Sequence, residues 1–239
     1  MPSAESTERP RERTRRLFLA LWPDEANQLK MDRATREALR SLDSPRAVPA
    51  HNLHVTLVFI GAVEEGRLAS LRSIAERVSR EACAAAEPGQ SGDAQRTRAV
   101  ELIFERIEYW EKAKVLCALT DEASRASQAA PAAVLADRLR GCLLDDGFAP
   151  DLKPFRPHVT LARKVVLKRE APGAASPDQP AGTSQSGRAS DFSMAPVIWR
   201  FTQFALIDSR TEPDGSLYSV LARWPLCTES TQMSGKNLQ

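Results

Sequence analysis

The apolar positions of this chain fall in short clusters separated by polar stretches, and the spacing inside each cluster predicts its element. Arg16-Leu17-Phe18-Leu19-Ala20-Leu21-Trp22 is a short apolar run carrying aromatics and stopped by Pro23-Asp24. Such a run predicts a buried strand. Asp24 stands at an N-cap position, and Ala26, Leu29, Ala34, Ala38 and Leu42 recur mostly at helical spacing among charges. That pattern predicts an amphipathic helix over 25–42. Residues 53–60 are rich in β-branched and aromatic side chains and end at Gly61, which predicts a second strand. The pattern then predicts a helix over 64–86, a loop over 87–98, a strand pair over 100–110 and 114–119, and a helix over 131–146 closed by Gly147. Residues 155–163 repeat the signature of the second strand, and two last strands, 197–207 and 217–224, flank a turn at Pro213-Asp214-Gly215.

Between them, 168–196 is dense in Ala, Pro, Ser, Gly and Gln with hardly any large apolar side chain. Such a segment buries too little surface to offset its ordering entropy, so it is read as a disordered insertion. The expected organisation is a tail over 1–15, one bilobal domain over 16–227 interrupted by that insertion, and a tail over 228–239. In the opening segment, Arg9, Arg11, Arg13, Arg15 and Arg16 interleave with Glu5, Glu8 and Glu12. The run can be read as an RNA-gripping arm or as a solvated terminus, and the second reading needs no function.

Composition narrows the partners. The 239 residues are 42% apolar and 27% charged, the balance of an ordinary globular protein. A net charge of +2 gives no broad field for duplex nucleic acid, so any anion must be bound locally. Cys83, Cys117, Cys142 and Cys227 show no CxxC pairing, and no secretory or eighteen-residue apolar segment is present. A cytoplasmic, monomeric protein without a membrane partner is expected.

The chemistry is carried by histidines. Only His51, His54 and His158 exist, and two of them head the same tetrapeptide, His54-Val55-Thr56-Leu57 and His158-Val159-Thr160-Leu161. With Thr and Leu each roughly 5 to 10% of residues, a given His gains both at these offsets about once in two hundred trials. A single strand His is more often a structural residue; the duplication is what argues for catalysis. On a strand, side chains alternate faces, so each copy offers His and Thr to one side and Val and Leu to the other. Two such strands facing each other would surround one small volume with two imidazoles and two hydroxyls. One imidazole can accept a proton while the other donates, and the Thr56 and Thr160 hydroxyls can bind phosphate oxygens. A five-membered cyclic phosphate suits the set, and no metal or other cofactor is required. His51 is read as a loop residue.

These residues resemble the two-histidine phosphoesterase superfamily with its HxTx motifs, and within it the bacterial RNA 2′,3′-cyclic phosphodiesterases long called 2′-5′ RNA ligases. The likeness rests on the opening strand, Asn52 to Gly61, Arg156 to Arg163, and the closing Phe204-Ala205-Leu206-Ile207-Asp208-Ser209 with Tyr218 and Trp224-Pro225-Leu226. It implies an α+β, bilobal fold in which two antiparallel sheets form a V-shaped cleft with helices outside. It implies His54 as proton donor to the leaving oxygen and His158 as the base for water. It further implies that the substrates are RNA ends bearing 2′,3′-cyclic phosphate, tRNA fragments among them, that the product is a 2′-phosphate, and that reverse 2′-5′ ligation is a weaker activity. Arg163, five places after His158, matches the arginine of the family's second motif. Strict alternation would point it into the core, so it reaches phosphate only where the strand ends, bulges or twists. Phe18 is read either as core or as a cleft residue that stacks on a base. Two other readings share the cleft: an RNA-end-binding or tRNA-processing module without turnover, and a phosphodiesterase for ADP-ribose 1″,2″-cyclic phosphate or small cyclic nucleotides.

Overall fold

The computed structural model describes residues 13–40, 42, 46–84, 99–120, 130–166, 193–213 and 215–226. The loop expected over 87–98, residues 1–12 of the opening tail, the closing tail and most of the 168–196 insertion lie outside the described residues. The order is β1 (Thr14–Leu21), α1 (Glu25–Arg40), β2 (Arg46–Ala47), a 3-10 turn (Ala50–Asn52), β3 (Val55–Glu64), a second 3-10 turn (Glu65–Arg67), α2 (Leu68–Ala84), β4 (Val100–Trp110), β5 (Val115–Thr120), α3 (Ala130–Asp145), β6 (His158–Arg163), β7 (Ser193–Phe201), β8 (Gln203–Glu212) and β9 (Gly215–Pro225).

The strands form two antiparallel sheets, β3-β1-β8-β9 and β2-β6-β5-β4-β7. Helices α2 and α3 pack together and against β9 and β3 of the first sheet, while α1 lies against β7 and β6 of the second. The main core fills the space between helices and sheets, and the opposite faces of the sheets carry two smaller apolar clusters. β1 and β5 are central strands covered on both faces, which is why they read as continuous apolar runs rather than alternating ones. Among the described residues no helix is long and apolar enough to cross a membrane.

Local signals explain most element ends. The Asp24 carboxylate accepts from the Asn27 amide at 2.7 Å and caps α1. Gly147, at φ +73°, ends α3, with the Gly147 and Phe148 amides donating to the carbonyls of Leu144 and Leu143. These bonds satisfy carbonyls that the helix itself leaves open.

The structure departs from the sequence reading in six places. β1 begins at Thr14, inside the expected tail, and β7 begins at Ser193, inside the expected insertion. β3 runs past Gly61 to Glu64, because glycine accommodates the +90° φ without ending the strand. The strand expected over 155–163 starts only at His158, after Pro157, which has no amide to donate. The single strand expected over 197–207 is two strands in different sheets, β7 at the edge of the second and β8 inside the first. The sixth departure is in α1, whose buried stripe is Gln28, Met31, Thr35 and Ala38, with Leu29 exposed. Polar side chains tolerate that face because Thr35 donates to the Met31 carbonyl at 2.9 Å and Gln28 binds backbone carbonyls near His54.

Candidate active site

The two tetrapeptides head the strands at which the sheets meet. His54 immediately precedes β3, His158 opens β6, and β3 touches β6. Each imidazole is held in the same way: Nδ1 of His54 lies 2.6 Å from the Asn52 carbonyl oxygen, and Nδ1 of His158 lies 2.7 Å from that of Arg156. A carbonyl oxygen only accepts, so in both rings Nδ1 carries the hydrogen and Nε2 is the nitrogen left for chemistry.

The first tether is itself anchored. Gln28 Nε2 donates to the His51 and Leu53 carbonyls at 3.1 and 3.3 Å, and the Asn52 side-chain amide donates to the Ser216 carbonyl of β9 at 3.0 Å. His51 takes part only through its backbone here, and its side chain is exposed. At the second tether the Arg156 guanidinium donates to Glu108 at 2.9 Å and lies 4.9 Å from the centre of the Trp110 ring.

A bulge at the same motif position in both strands decides what else faces the cleft. Thr56 pairs with Ala20 and Val58 with Leu19, leaving Leu57 as the extra residue. Thr160 pairs with Cys117 and Ala162 with Leu116, leaving Leu161 extra. Each bulge resets the alternation, so two consecutive residues are buried, Leu57 with Val58 and Leu161 with Ala162. The residue five places after each histidine therefore returns to the face of His and Thr. In the first motif it is Phe59, which packs in the cluster of Phe18, Ala20, Ala205 and Ile207. In the second it is Arg163, opposite Val115, whose neighbours on that face are Cys117, Leu119 and Trp110. The bulge supplies the geometry that simple alternation denied to Arg163.

The surroundings of the two rings differ. His54 is boxed by aromatics: Trp22 stacks on it at 5.1 Å and 11°, Phe18 at 5.0 Å and 30°, and Tyr218 meets it edge-on at 5.3 Å. Burial pushes its pKa from 6.5 down to about 4, against the pull of the Asn52 carbonyl; the charges of Arg163 and His158 lower it further. His158 packs against Trp110 at 4.7 Å and is also lowered, first by burial and then by the charges of Arg156 and Arg163, with the Arg156 carbonyl opposing. In the free protein both rings are thus neutral near pH 7, with Nε2 lone pairs available. Cys117, beneath Thr160, is pushed up to about 12 by burial and stays a thiol, so it is not a nucleophile.

The structure places His54, Thr56, His158, Thr160 and Arg163 on the cleft faces of the two sheets, close enough for the charges of His158 and Arg163 to act on His54. Phe18 is only 4% exposed and lies against the His54 ring, where it shapes the ring's surroundings rather than receiving a base. Sequence reasoning gave no role to Trp22, Trp110, Asn52, Gln28 or Arg156. Trp22 alone carried a signal, sharing the period-two face of Phe18 and Ala20.

The comparisons with known proteins agree with this architecture. A family model described as the 2′-5′ RNA ligase superfamily matches residues 22–180, a span containing both histidine motifs. An RNA 2′,3′-cyclic phosphodiesterase of Thermus thermophilus is 28% identical over 213 residues, covering 88% of this chain and 90% of that protein. The crystal structure of E. coli LigT complexed with 3′-AMP superposes with a TM-score of 0.63 at 20% identity, over 90% of this chain and 99% of that one. TT0787 of Thermus thermophilus gives 0.58 at 24% identity, over 90% and 99%. Two bulged HxTx strands on paired antiparallel sheets, together with a family match over more than half the sequence, establish that this chain belongs to the 2′-5′ RNA ligase superfamily.

Proposed function

We propose that this chain hydrolyses RNA 2′,3′-cyclic phosphodiester ends to 2′-phosphomonoesters by acid/base catalysis between His54 and His158, without a metal ion. The observation that carries the reading is the matched tethering of the two imidazoles, which leaves both Nε2 atoms without a hydrogen-bond partner among the described residues, with the charge of Arg163 acting on both rings. His158 Nε2 takes a proton from water as the water oxygen bonds to phosphorus, the bond from phosphorus to O3′ breaks, and His54 Nε2–H protonates O3′. Thr56, Thr160 and Arg163 bind the non-bridging oxygens as charge accumulates on them. Both rings are neutral in the free protein, so the donor acquires its proton together with the anionic substrate, whose charge raises the pKa of either ring. The T. thermophilus relative's activity supports this substrate class.

The experiment is turnover of a cyclic-phosphate-ended oligoribonucleotide by wild type, His54→Ala and His158→Ala. Each variant is expected to fold and to lose about 10²- to 10⁴-fold in kcat, and EDTA should leave wild type unchanged. A single variant that keeps near-normal turnover refutes the pair. A binding module would hold the 2′-phosphate end without releasing product. A small-nucleotide enzyme would prefer ADP-ribose 1″,2″-cyclic phosphate in a side-by-side rate comparison.

A further inference from the structure

The two histidine tethers are anchored by different chemistry. Neutral amides, those of Gln28 and Asn52, hold the segment before His54, whereas charged side chains gather at the segment before His158. The strand pairings set three side chains of β4 on the cleft face. Arg106 stands opposite Leu119, which is opposite His158; Glu108 stands opposite Cys117, which is opposite Thr160; and Trp110 stands opposite Val115, which is opposite Arg163. Directly paired residues share one face of a sheet, so Arg106, Glu108 and Trp110 lie on the face of His158.

From there they reach the residue that tethers the ring. Arg156 donates to the Glu108 carboxylate at 2.9 Å, and Arg106 approaches the same oxygen at 3.7 Å. The Arg156 guanidinium lies 4.9 Å from the centre of the Trp110 ring, and that ring lies 4.7 Å from His158. The Arg156 carbonyl closes the circuit 2.7 Å from His158 Nδ1. A half-exposed ion pair by itself contributes little to stability. This one holds its guanidinium at a cost, because Arg156 Nε and Trp110 Nε1 are buried with no hydrogen-bond partner among the described residues. Arrangements that work against stability are expected where a functional group has to be held.

The charges facing the ring come from several strands. Arg156 and Arg163 flank it along its own segment, and Arg163 is paired with Arg46 of β2. Cys117 on β5 stays a thiol, β4 supplies Arg106 and Glu108, and His54 lies across the cleft. After burial, Arg156 lowers the pKa of His158 more than Arg163 does. Glu108 is the single acid of the set, and it is bound to the arginine with the larger effect.

Resting on the assignment of His158 as the base, we propose that Glu108 is a positioning residue for it: the carboxylate holds the Arg156 guanidinium against Trp110 and offsets its charge at the imidazole, so that the ring stays in place and remains a competent base.

The test follows the ring and the turnover separately. His158 is titrated by NMR in the full chain and in the Glu108→Gln, Arg156→Gln and double variants, and each protein is assayed on a 2′,3′-cyclic nucleotide. With three histidines in the chain, the His158 resonance is the one lost in His158→Ala. Arg156→Gln keeps the tethering carbonyl and removes a cation, so the ring should titrate at higher pH than in wild type. Glu108→Gln leaves that cation unopposed, so the ring should titrate at lower pH, with kcat down about 3- to 10-fold and KM nearly unchanged. The double variant should return the titration towards wild type, and Glu108→Asp, which keeps the charge, should stay close to it. Either single change breaks the same ion pair, so a purely structural role moves both titrations alike. Movement in one direction, movement in neither, or an unchanged kcat in Glu108→Gln overturns the proposal. Opposite movements in a protein without turnover would sink the hydrolytic reading and keep this one. Turnover that is lost in His158→Ala, with neither titration moved, would sink this one alone.

Discussion

Replacing His54 by Asn removes a ring that the fold forces to stay neutral, and the consequence is readable in stability. The ring's pKa lies at about 4 in the folded chain against an ordinary 6.5, so protons prefer the unfolded chain between those values. The contribution is fully present above pH 6.5, is lost as pH falls, and is exhausted near pH 4. A gap of about 2.5 pH units at ~1.36 kcal/mol each sets a ceiling of about 3 kcal/mol, of which about 2 kcal/mol is gone by pH 5. It is a ceiling because the ring keeps a partly exposed edge while aromatics cover the rest. Urea unfolding of wild type and His54→Asn at pH 7.5 and pH 5.0 measures it. His158 and the carboxylates titrate in both proteins and cancel in the difference. Wild type should lose about 2 kcal/mol more than the variant between the two conditions. Parallel losses would mean that the aromatic box does not exclude the proton, and the account of His54 would fail.

Three further substitutions probe the supports of the site. Arg163→Gln should lower kcat/KM on a cyclic nucleotide by about 10²-fold, and because its charge depresses both histidines, the acidic limb of the pH–rate profile should move to higher pH. Trp22→Leu uncovers one stacked face of His54; burial is the largest cause of the lowered pKa, so an NMR titration should show that ring moving up from about 4 towards 6.5. Gln28→Leu leaves the His51 and Leu53 carbonyls without their donor; it should cost about 1–3 kcal/mol in urea unfolding and lower kcat more than it changes KM.

The sequence made strands more legible than their partners. A continuous apolar run is legible because burial is written into each side chain, and β1 was found that way. The same reasoning merged β7 and β8, since Val197, Trp199, Phe201, Phe204 and Leu206 are all buried whichever sheet receives them. Burial does not encode a strand's partner. Gln28 was invisible for a related reason, because its place on the buried side of α1 is set by carbonyls 23 and 25 residues away. Arg163 was legible as a residue and illegible as a direction, because the bulge at Leu161 arises from pairing with β5. Trp22 and Tyr218 meet His54 only once β1, β3 and β9 are assembled.

An acid/base pair must be alike in reach and unlike in affinity for the proton. The duplicated tetrapeptide provides the likeness: the same carbonyl two residues back fixes the same tautomer, and the same bulge turns the same positions to the cleft. The unlikeness comes from residues outside the repeat. Position five holds Phe59 in one motif and Arg163 in the other, and the rings meet three aromatics in one lobe and a single tryptophan beside an arginine in the other. Arg163 is the arginine whose charge acts on both rings, and it stands on the His158 side with Arg156. In the proposed mechanism a phosphate drawn to Arg163 would lie between the rings and present its charge to His54, whose shift has no anion among its causes. Under the proposed mechanism, the ring whose pKa is pushed down to about 4 would gain a proton with the substrate's charge, which would make His54 the donor only when there is something to protonate.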